Sequence, residues 1–468
     1  MQFVIDSESE NLPSHLAEDH QIVARTLGLQ VGDEFETESG PSRFRWRVEE
    51  VKSKYLHLFH DLSRSIQDRF PENGSFYTLT IVDNDLTPIL ESVKARRAQI
   101  DRVEKLYREN SMPLAAVASA GGGDAIDFAL HLAQSGQQVF SATGMAQDAR
   151  VEIVHAARAE EKGVVLDTYT AWVLSKLGLL SATAQAFQRV IAPASLLDEI
   201  AVKIEDLGNH EDGRLTASAE DDELVPIHHS AEVIEAQAAD LTDVVADIRK
   251  NASVLGIEAP VDISAELRQL PEFLGTQFDT LSVARREGAT VLSADLRLRQ
   301  VAAGVMETEA FGLDALLEHL RNRRLITDED RAEALLTLAA LRHSYIELTA
   351  PMLLKMLEID DSDGLMRFVQ VADYFGRAGG DVRSHVKTAA AFASLAFARG
   401  RLRQKASKAT GQILTNLIRF EDIQLKDILN LFARLADDPE VTNYVAGWLR
   451  GHFLMGVYEA QVEAASGQ

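Results

Sequence analysis

Short apolar runs that end on an acidic residue are the feature that most limits how this chain can fold. Gly163-Val164-Val165-Leu166 has the character of a buried strand and stops at Asp167. Ala289-Thr290-Val291-Leu292 is of the same kind and is followed closely by Asp295. Between them, Val190-Ile191-Ala192-Pro193 gives a third run, and a helix beginning near Ser195 places Glu199 among apolar neighbours. Runs this short and this apolar, alternating with helical periodicity, suit a parallel sheet covered by helices on both faces. Residues 161–312 are therefore expected to form an α/β/α layer structure, with a small α+β region before it and helices after it.

The same runs place acids together. Side chains just beyond the carboxyl ends of parallel strands line the crevice where such folds bind ligands. Asp167 and Asp295 are of this kind. Asp279 opens a helix that Gly288 terminates, on the edge to which the next strand delivers Asp295. Asp198, about 100° round its helix from Glu199, is expected to point to solvent. Carboxylates gathered on one edge repel one another unless a cation lies between them. The chain has no cysteine, and oxygen ligands alone select Mg²⁺ or Mn²⁺.

Three pieces, Val165-Leu166-Asp167-Thr168, Pro193 through Glu199-Ile200, and Asp279 through Ser293-Ala294-Asp295-Leu296, taken in this order resemble the PIN domain. The resemblance covers about a third of the chain and leaves a stretch, roughly 203–262, as an insertion outside it. It implies a metal-dependent nuclease acting mostly on RNA. Asp167, Glu199, Asp279 and Asp295 would be the acidic catalytic and metal-binding set, supported through hydrogen bonds by Thr168 and Ser293. PIN-like domains joined to large helical regions point to stress-response, toxin-like or defence roles. A PIN-like fold that has lost activity, serving as a scaffold or as a binding module, is the alternative.

At 468 residues the chain is too long for one ordinary core. Four segments are expected: 1–90, a small β-rich module; 91–160, a connecting region; 161–312, the PIN-like part; and 313–468, helical. In the first, Pro41 to Val48 alternates as a half-buried strand, with Phe44, Trp46 and Val48 on the core side and Arg43, Arg45 and Arg47 opposite. Phe76 to Val82 reads as a second strand. With Val31 to Phe35, this region resembles in architecture the C-terminal domain of Gre-type transcript-cleavage factors over about 40 residues, without diagnostic ones. In the connecting region, Leu90 to Glu109 is an amphipathic helix. Leu114 to Ala120, Gly121-Gly122-Gly123-Asp124 and Ala125 to Leu132 read as strand, loop and helix, with Asp124 an N-cap; Gln138 to Phe140 reads as another short strand. That loop lacks both the third glycine of a dinucleotide motif and the Lys of a P-loop. The insertion holds a hairpin, Gly213 to His229, and a long acidic helix, Ala231 to Asn251. Adjacent His228 and His229 on a strand point to opposite faces and chelate one ion poorly.

A formal net charge of −25 opposes nucleic-acid binding unless basic residues cluster locally or cations intervene. One stretch answers this. Val382 to Phe420 contains no Asp or Glu, although the chain has 72 of them. It holds Arg399, Arg401, Arg403, Lys405 and Lys408. Two readings stand side by side: a phosphate-tracking surface for nucleic acid, or a basic face paired with acidic neighbours. The helical region also offers a surface for a protein partner or a second copy. No run approaches the roughly 20 apolar residues of a membrane span. Met1 to Leu12 has no signal-peptide pattern, and the missing cysteines fit a cytoplasmic setting.

Overall fold

The structure is a computed structural model. It describes residues 4–5, 15–17, 20–39, 42–69, 85–109, 112–210, 212–220, 223–256, 270–346, 348–376, 381–420, 424–435 and 438–453. The chain separates into two compact units, residues 1–94 with 221–223, and the remainder.

In the first unit, β1 (Val4–Ile5) pairs in parallel with β2 (His15–Leu16). β3 (Glu34–Ser39) and β4 (Ser42–Arg47) form an antiparallel hairpin. Its register sets Glu34, Glu36 and Glu38 opposite Arg47, Arg45 and Arg43. Arg43 pairs with Glu38 at 2.9 Å and Arg45 with Glu34 at 3.1 Å. The arginine face is thus one half of a charge ladder. The expected core face differs from the observed one: Phe44 is 48% exposed and Trp46 only half-buried. A hairpin alone buries neither face fully. The strand read at Phe76 to Val82 lies outside the described residues.

The second unit is built on five strands. β5 (Val164–Leu166) and β6 (Val190–Pro193) pair in parallel. β7 (Arg214–Glu220) and β8 (Glu223–His229) make the expected hairpin, a separate sheet. β9 (Ser253–Leu255), β10 (Thr290–Leu292) and β11 (Ala310–Phe311) complete a sheet of order β11-β10-β5-β6-β9, every pairing parallel. Alternation along the strands feeds two cores. Val164, Leu166 and Leu292 join one with Leu196 and Leu241, while Val165 and Val291 join the other with Phe278, Leu281 and Leu298. This is the α/β/α layering expected of short, wholly apolar strands. Residues 231–255 fall inside the stretch read as an insertion. They nevertheless supply the helix Ala231–Asn251, packed in the first core, and the edge strand β9.

Glycine decides two of the joins. Gly288 ends the helix Thr276–Glu287 at φ 61°, the left-handed conformation a C-cap needs. Gly163 enters β5 at φ 84°, where a Cβ would come within 2.8 Å of the Arg189 carbonyl oxygen.

Two sequence readings in the connecting region are corrected. Leu114 to Ala120 is a helix, not a strand. Four of its seven residues are alanine, the best helix former, which outweighs the run's apolar character. Gln138 to Phe140 forms only a single bridge, Val139 to His343. The helices Thr87–Glu109 and Ala125–Gln134 form as expected, and Asp124 caps the second by accepting from the Asp127 N–H at 2.9 Å. Beyond residue 312 the described chain is helical, opening with Leu313–Asn322 and then Asp328–Ala340, where Thr327 and Asp330 form a reciprocal capping box. Among the described residues no helix is long and apolar enough to cross a membrane.

Candidate acidic site

The order of the strands fixes where a ligand crevice opens. From β5 the chain moves outward to β6 and β9, then crosses back to β10 and β11 on the other side. The connections leaving β5 and β10 diverge, so the carboxyl ends of these neighbours flank the switch point of the sheet. Asp167 follows β5 directly, and Asp295 follows β10 by three residues.

Both aspartates are buried, at 1% and 0% exposure. Each caps the helix after its strand. Asp167 accepts from the Thr170 N–H at 2.9 Å and from its hydroxyl at 2.6 Å. Asp295 accepts from the Arg297 N–H at 2.9 Å and, on its other oxygen, from the Leu114 N–H at 2.6 Å. Thr170 Oγ1 also receives the Ala294 N–H at 2.7 Å, tying the two strand ends together. Burial raises the Asp167 carboxyl above its usual range, against the pull of the Ser293 and Thr170 hydroxyls. Burial and then the charge of Asp167 push Asp295 up to about 6, opposed by the Leu114 and Arg297 amides.

Glu199 lies half-buried on the helix Ala194–Gly208. One of its oxygens accepts from Thr168 at 2.6 Å and from Thr276 at 2.9 Å. Burial raises its proton affinity, and the charges of Asp124 and Asp167 add to the effect. Asp279 is also half-buried, in the first turn of the helix Thr276–Glu287, and burial raises it against the Ser195 hydroxyl. Asp198 faces solvent. The electrostatics therefore link Asp295 to Asp167 and Asp167 to Glu199; Asp279 stands apart with Ser195. Among the described residues none of the four acids is in an ion pair, and no group of three or more His, Asp or Glu side chains is placed to hold a metal ion.

Several neighbours escaped the sequence reading. Lys203 lies one turn after Glu199, a spacing that could have drawn notice. Its ammonium binds Asp124 at 2.8 Å and also Asp127, so two carboxylates share one cation beside the Gly121–Gly123 turn and leave net negative charge there, unlike a phosphate cradle. Arg299, 4% exposed, donates to the carbonyls of Ser293 and Ser141 at 2.7 Å and to Glu152 at 3.0 Å. Tyr107 and Tyr169 are buried nearby, each with its proton affinity raised first by burial; the Asp295 charge acts on both and the Asp167 charge on Tyr169. Tyr107 shows no pattern in sequence, because it reaches the site from a distant segment; Lys203 and Arg299 each lie four residues after an acid of the set, a spacing visible in sequence.

The acid-free stretch is divided by a break. The helix Val382–Phe397 ends before Arg399, and a new helix, Arg403–Leu417, begins four residues later. Arg399 and Arg403 therefore do not share one helix. Arg401 pairs with Glu358 at 3.4 Å, Arg403 with Glu440 at 3.3 Å and Lys405 with Asp361 at 3.5 Å. Arg399 and Lys408 are exposed. On β8, His228 is exposed, whereas His229 meets the Thr216 hydroxyl at 3.2 Å.

Residues 165–304 match the family model described as the PIN domain associated with the TPR-GreAB-C-PIN system. No curated protein and no solved structure matches the chain. The parallel sheet, the two buried aspartates at its switch point and this match together identify residues 165–304 as a PIN domain.

Proposed function

We propose that this PIN domain is a divalent-cation-dependent endonuclease that hydrolyses phosphodiester bonds, RNA in preference to DNA. The observation that carries the reading is the pair Asp167 and Asp295, buried at the sheet's switch point and, among the described residues, in no ion pair. Buried carboxylates of this kind are costly unless protonated or met by positive charge. Their donor chemistry fits a hard divalent ion: carboxylate oxygens only, in a desolvated crevice. Asp167, Glu199, Asp279 and Asp295 would hold Mg²⁺ or Mn²⁺. Such an ion supplies a more acidic water and neutralises charge on the phosphodiester. The chain's own residues prepare the site. Thr168 and Thr276 fix Glu199, while Thr170 and Ser293 favour the ionised form of Asp167 against its burial.

Arg399, Arg401, Arg403, Lys405 and Lys408 are the surface proposed to track the RNA backbone, and the helical region the surface for a protein partner or second copy. The matched description associates its PIN domain with TPR and GreAB-C elements. Here the PIN segment stands between an N-terminal region with a β-hairpin and a C-terminal run of helices, an arrangement that supports a multi-part protein whose flanking regions position RNA or a partner.

A second reading, a PIN-like scaffold without catalysis, is favoured by the full engagement of the Asp167 and Asp295 oxygens in backbone and threonine hydrogen bonds. Labelled single-stranded RNA with Mn²⁺ separates the two. The nuclease reading expects cleavage that EDTA and Asp167→Asn both abolish. Unchanged cleavage in the variant rejects this site, and no cleavage with any divalent ion favours the scaffold.

A further inference from the structure

The hydrogen bond from Leu114 to Asp295 comes from outside the matched segment, across 181 positions of sequence. Leu114 is the first residue of its helix, preceded by Pro113, so its N–H has no partner within that helix. The amide therefore lies free to serve the carboxylate, and it does so at 2.6 Å in a fully buried setting. The helix is not a loose cover. Leu114, Ala115, Ala116, Val117 and Ala118 are all at most 7% exposed, and they divide between the two cores of the sheet. The segment is fastened again at its far end, where Asp124 and Asp127 hold Lys203 one turn from Glu199. One short stretch thus reaches both ends of the acidic edge.

We infer that Leu114 is a positioning residue of the acidic centre, its amide N–H fixing the Asp295 carboxylate in the orientation that receives a divalent cation. The inference rests on the reading of Asp295 as a cation ligand. Groups that orient a ligand by hydrogen bonding typically set metal affinity by 10- to 100-fold. The working unit of this PIN domain then begins well before residue 165, at the helix that supplies this donor.

Proline is tolerated at the first position of a helix, so Leu114→Pro removes the donor where the backbone can accept it. Leu114→Ala trims the side chain and keeps the N–H. In the full chain, Mn²⁺ binding followed by the EPR signal of the free ion should weaken about tenfold or more in Leu114→Pro. It should stay within about twofold of wild type in Leu114→Ala, even as melting temperature falls through lost packing. Equal affinities in the two variants would overturn the inference. So would tighter binding in Leu114→Pro, which would make the amide a competitor of the cation.

Should Leu114→Pro fail to fold, amide exchange in the wild type decides. Protection of the Leu114 N–H should hold or rise on adding Mn²⁺, and its selective loss would overturn the inference. Mn²⁺ binding that is absent in the wild type, or unaffected by Asp295→Asn, would instead remove the underlying reading and this inference with it.

Discussion

Asp167 and Asp295 follow adjacent parallel strands, and the charge of the first raises the proton affinity of the second. Two buried carboxylates so placed form a strained electrostatic arrangement. Hydroxyl and amide donors hold each acid in place, yet none of those donors carries a full positive charge. The guanidinium of Arg299, whose charge favours the ionised form of Asp295, is engaged by Glu152 and two carbonyls. The pair is therefore held by neutral donors alone, and on the nuclease reading proposed above a cation would relieve its repulsion.

Thr170 should be the most sensitive neutral residue of this arrangement. Its hydroxyl donates to Asp167 and accepts from Ala294, and it is fully buried. Thr170→Val keeps the shape while leaving an amide and a carboxylate short of partners. A loss of about 2 to 3 kcal/mol is expected in urea denaturation. Thr170→Ser, which restores the hydroxyl, should recover most of it. A Thr170→Val chain as stable as wild type would show that the bridge carries no weight.

The pH dependence of stability should reveal Asp295. A carboxyl raised in the folded state stabilises the protein fully below its unfolded value, near 4, and that contribution is lost as pH rises through about 6. Asp167 acts in the same sense. His343 opposes both: burial lowers it to about 3, so its contribution is lost as pH falls through the unfolded value near 6.5. The informative quantity is therefore a difference between chains. In EDTA, lowering pH from 7.5 to 5 should favour wild type over Asp295→Asn by on the order of 1 kcal/mol. Parallel stability curves would mean that Asp295 is already ionised throughout.

Much of this site was legible because its acids follow local rules. A strand of three apolar residues ending on Asp, or a helix starting on one, shows in ten residues of sequence. Helix boundaries and caps, such as Thr327 with Asp330, are equally local. What stayed hidden was contributed from afar. Leu114 meets Asp295 through a backbone amide, which every residue but proline possesses and which therefore leaves no trace in the sequence. Lys203 meets Asp124 across 79 positions. The helix Leu114–Ala120 was misread because a short apolar run has no periodicity to separate strand from helix. The edge strand β9 was placed in an insertion because the hairpin before it interrupts the pattern, though it pairs with β6.

Cation binding should show as thermal stabilisation specific to the aspartate pair. A ligand that binds the folded state raises stability with concentration above its Kd. Mn²⁺ should therefore raise the melting temperature of the wild type, and do so much less in Asp167→Asn/Asp295→Asn. Asparagine keeps one oxygen acceptor at each position and removes the buried charge, so the variant should also melt at or above the metal-free wild type. Scanning calorimetry with and without Mn²⁺ measures both. Equal Mn²⁺ shifts in the two chains would place the ion elsewhere.

The basic stretch offers a test that does not depend on cleavage. Arg401, Arg403 and Lys405 already have carboxylate partners, whereas Arg399 and Lys408 are exposed with no ion pair among the described residues. An unpaired cation is the better phosphate ligand, because nothing must be broken before it binds. Each such contact releases counterions and, on a single strand, steepens the dependence of affinity on salt by about 0.7 of logarithmic slope. Arg399→Gln/Lys408→Gln should therefore weaken binding of single-stranded RNA and reduce the salt slope by about 1.4. Arg401→Gln/Arg403→Gln should change the slope less, since Glu358 and Glu440 compete with phosphate for those side chains. Fluorescence anisotropy with EDTA present, across 50 to 200 mM salt or about a fourfold range, isolates this term. If neither pair of substitutions moves the slope, the face serves its acidic neighbours and the RNA runs elsewhere.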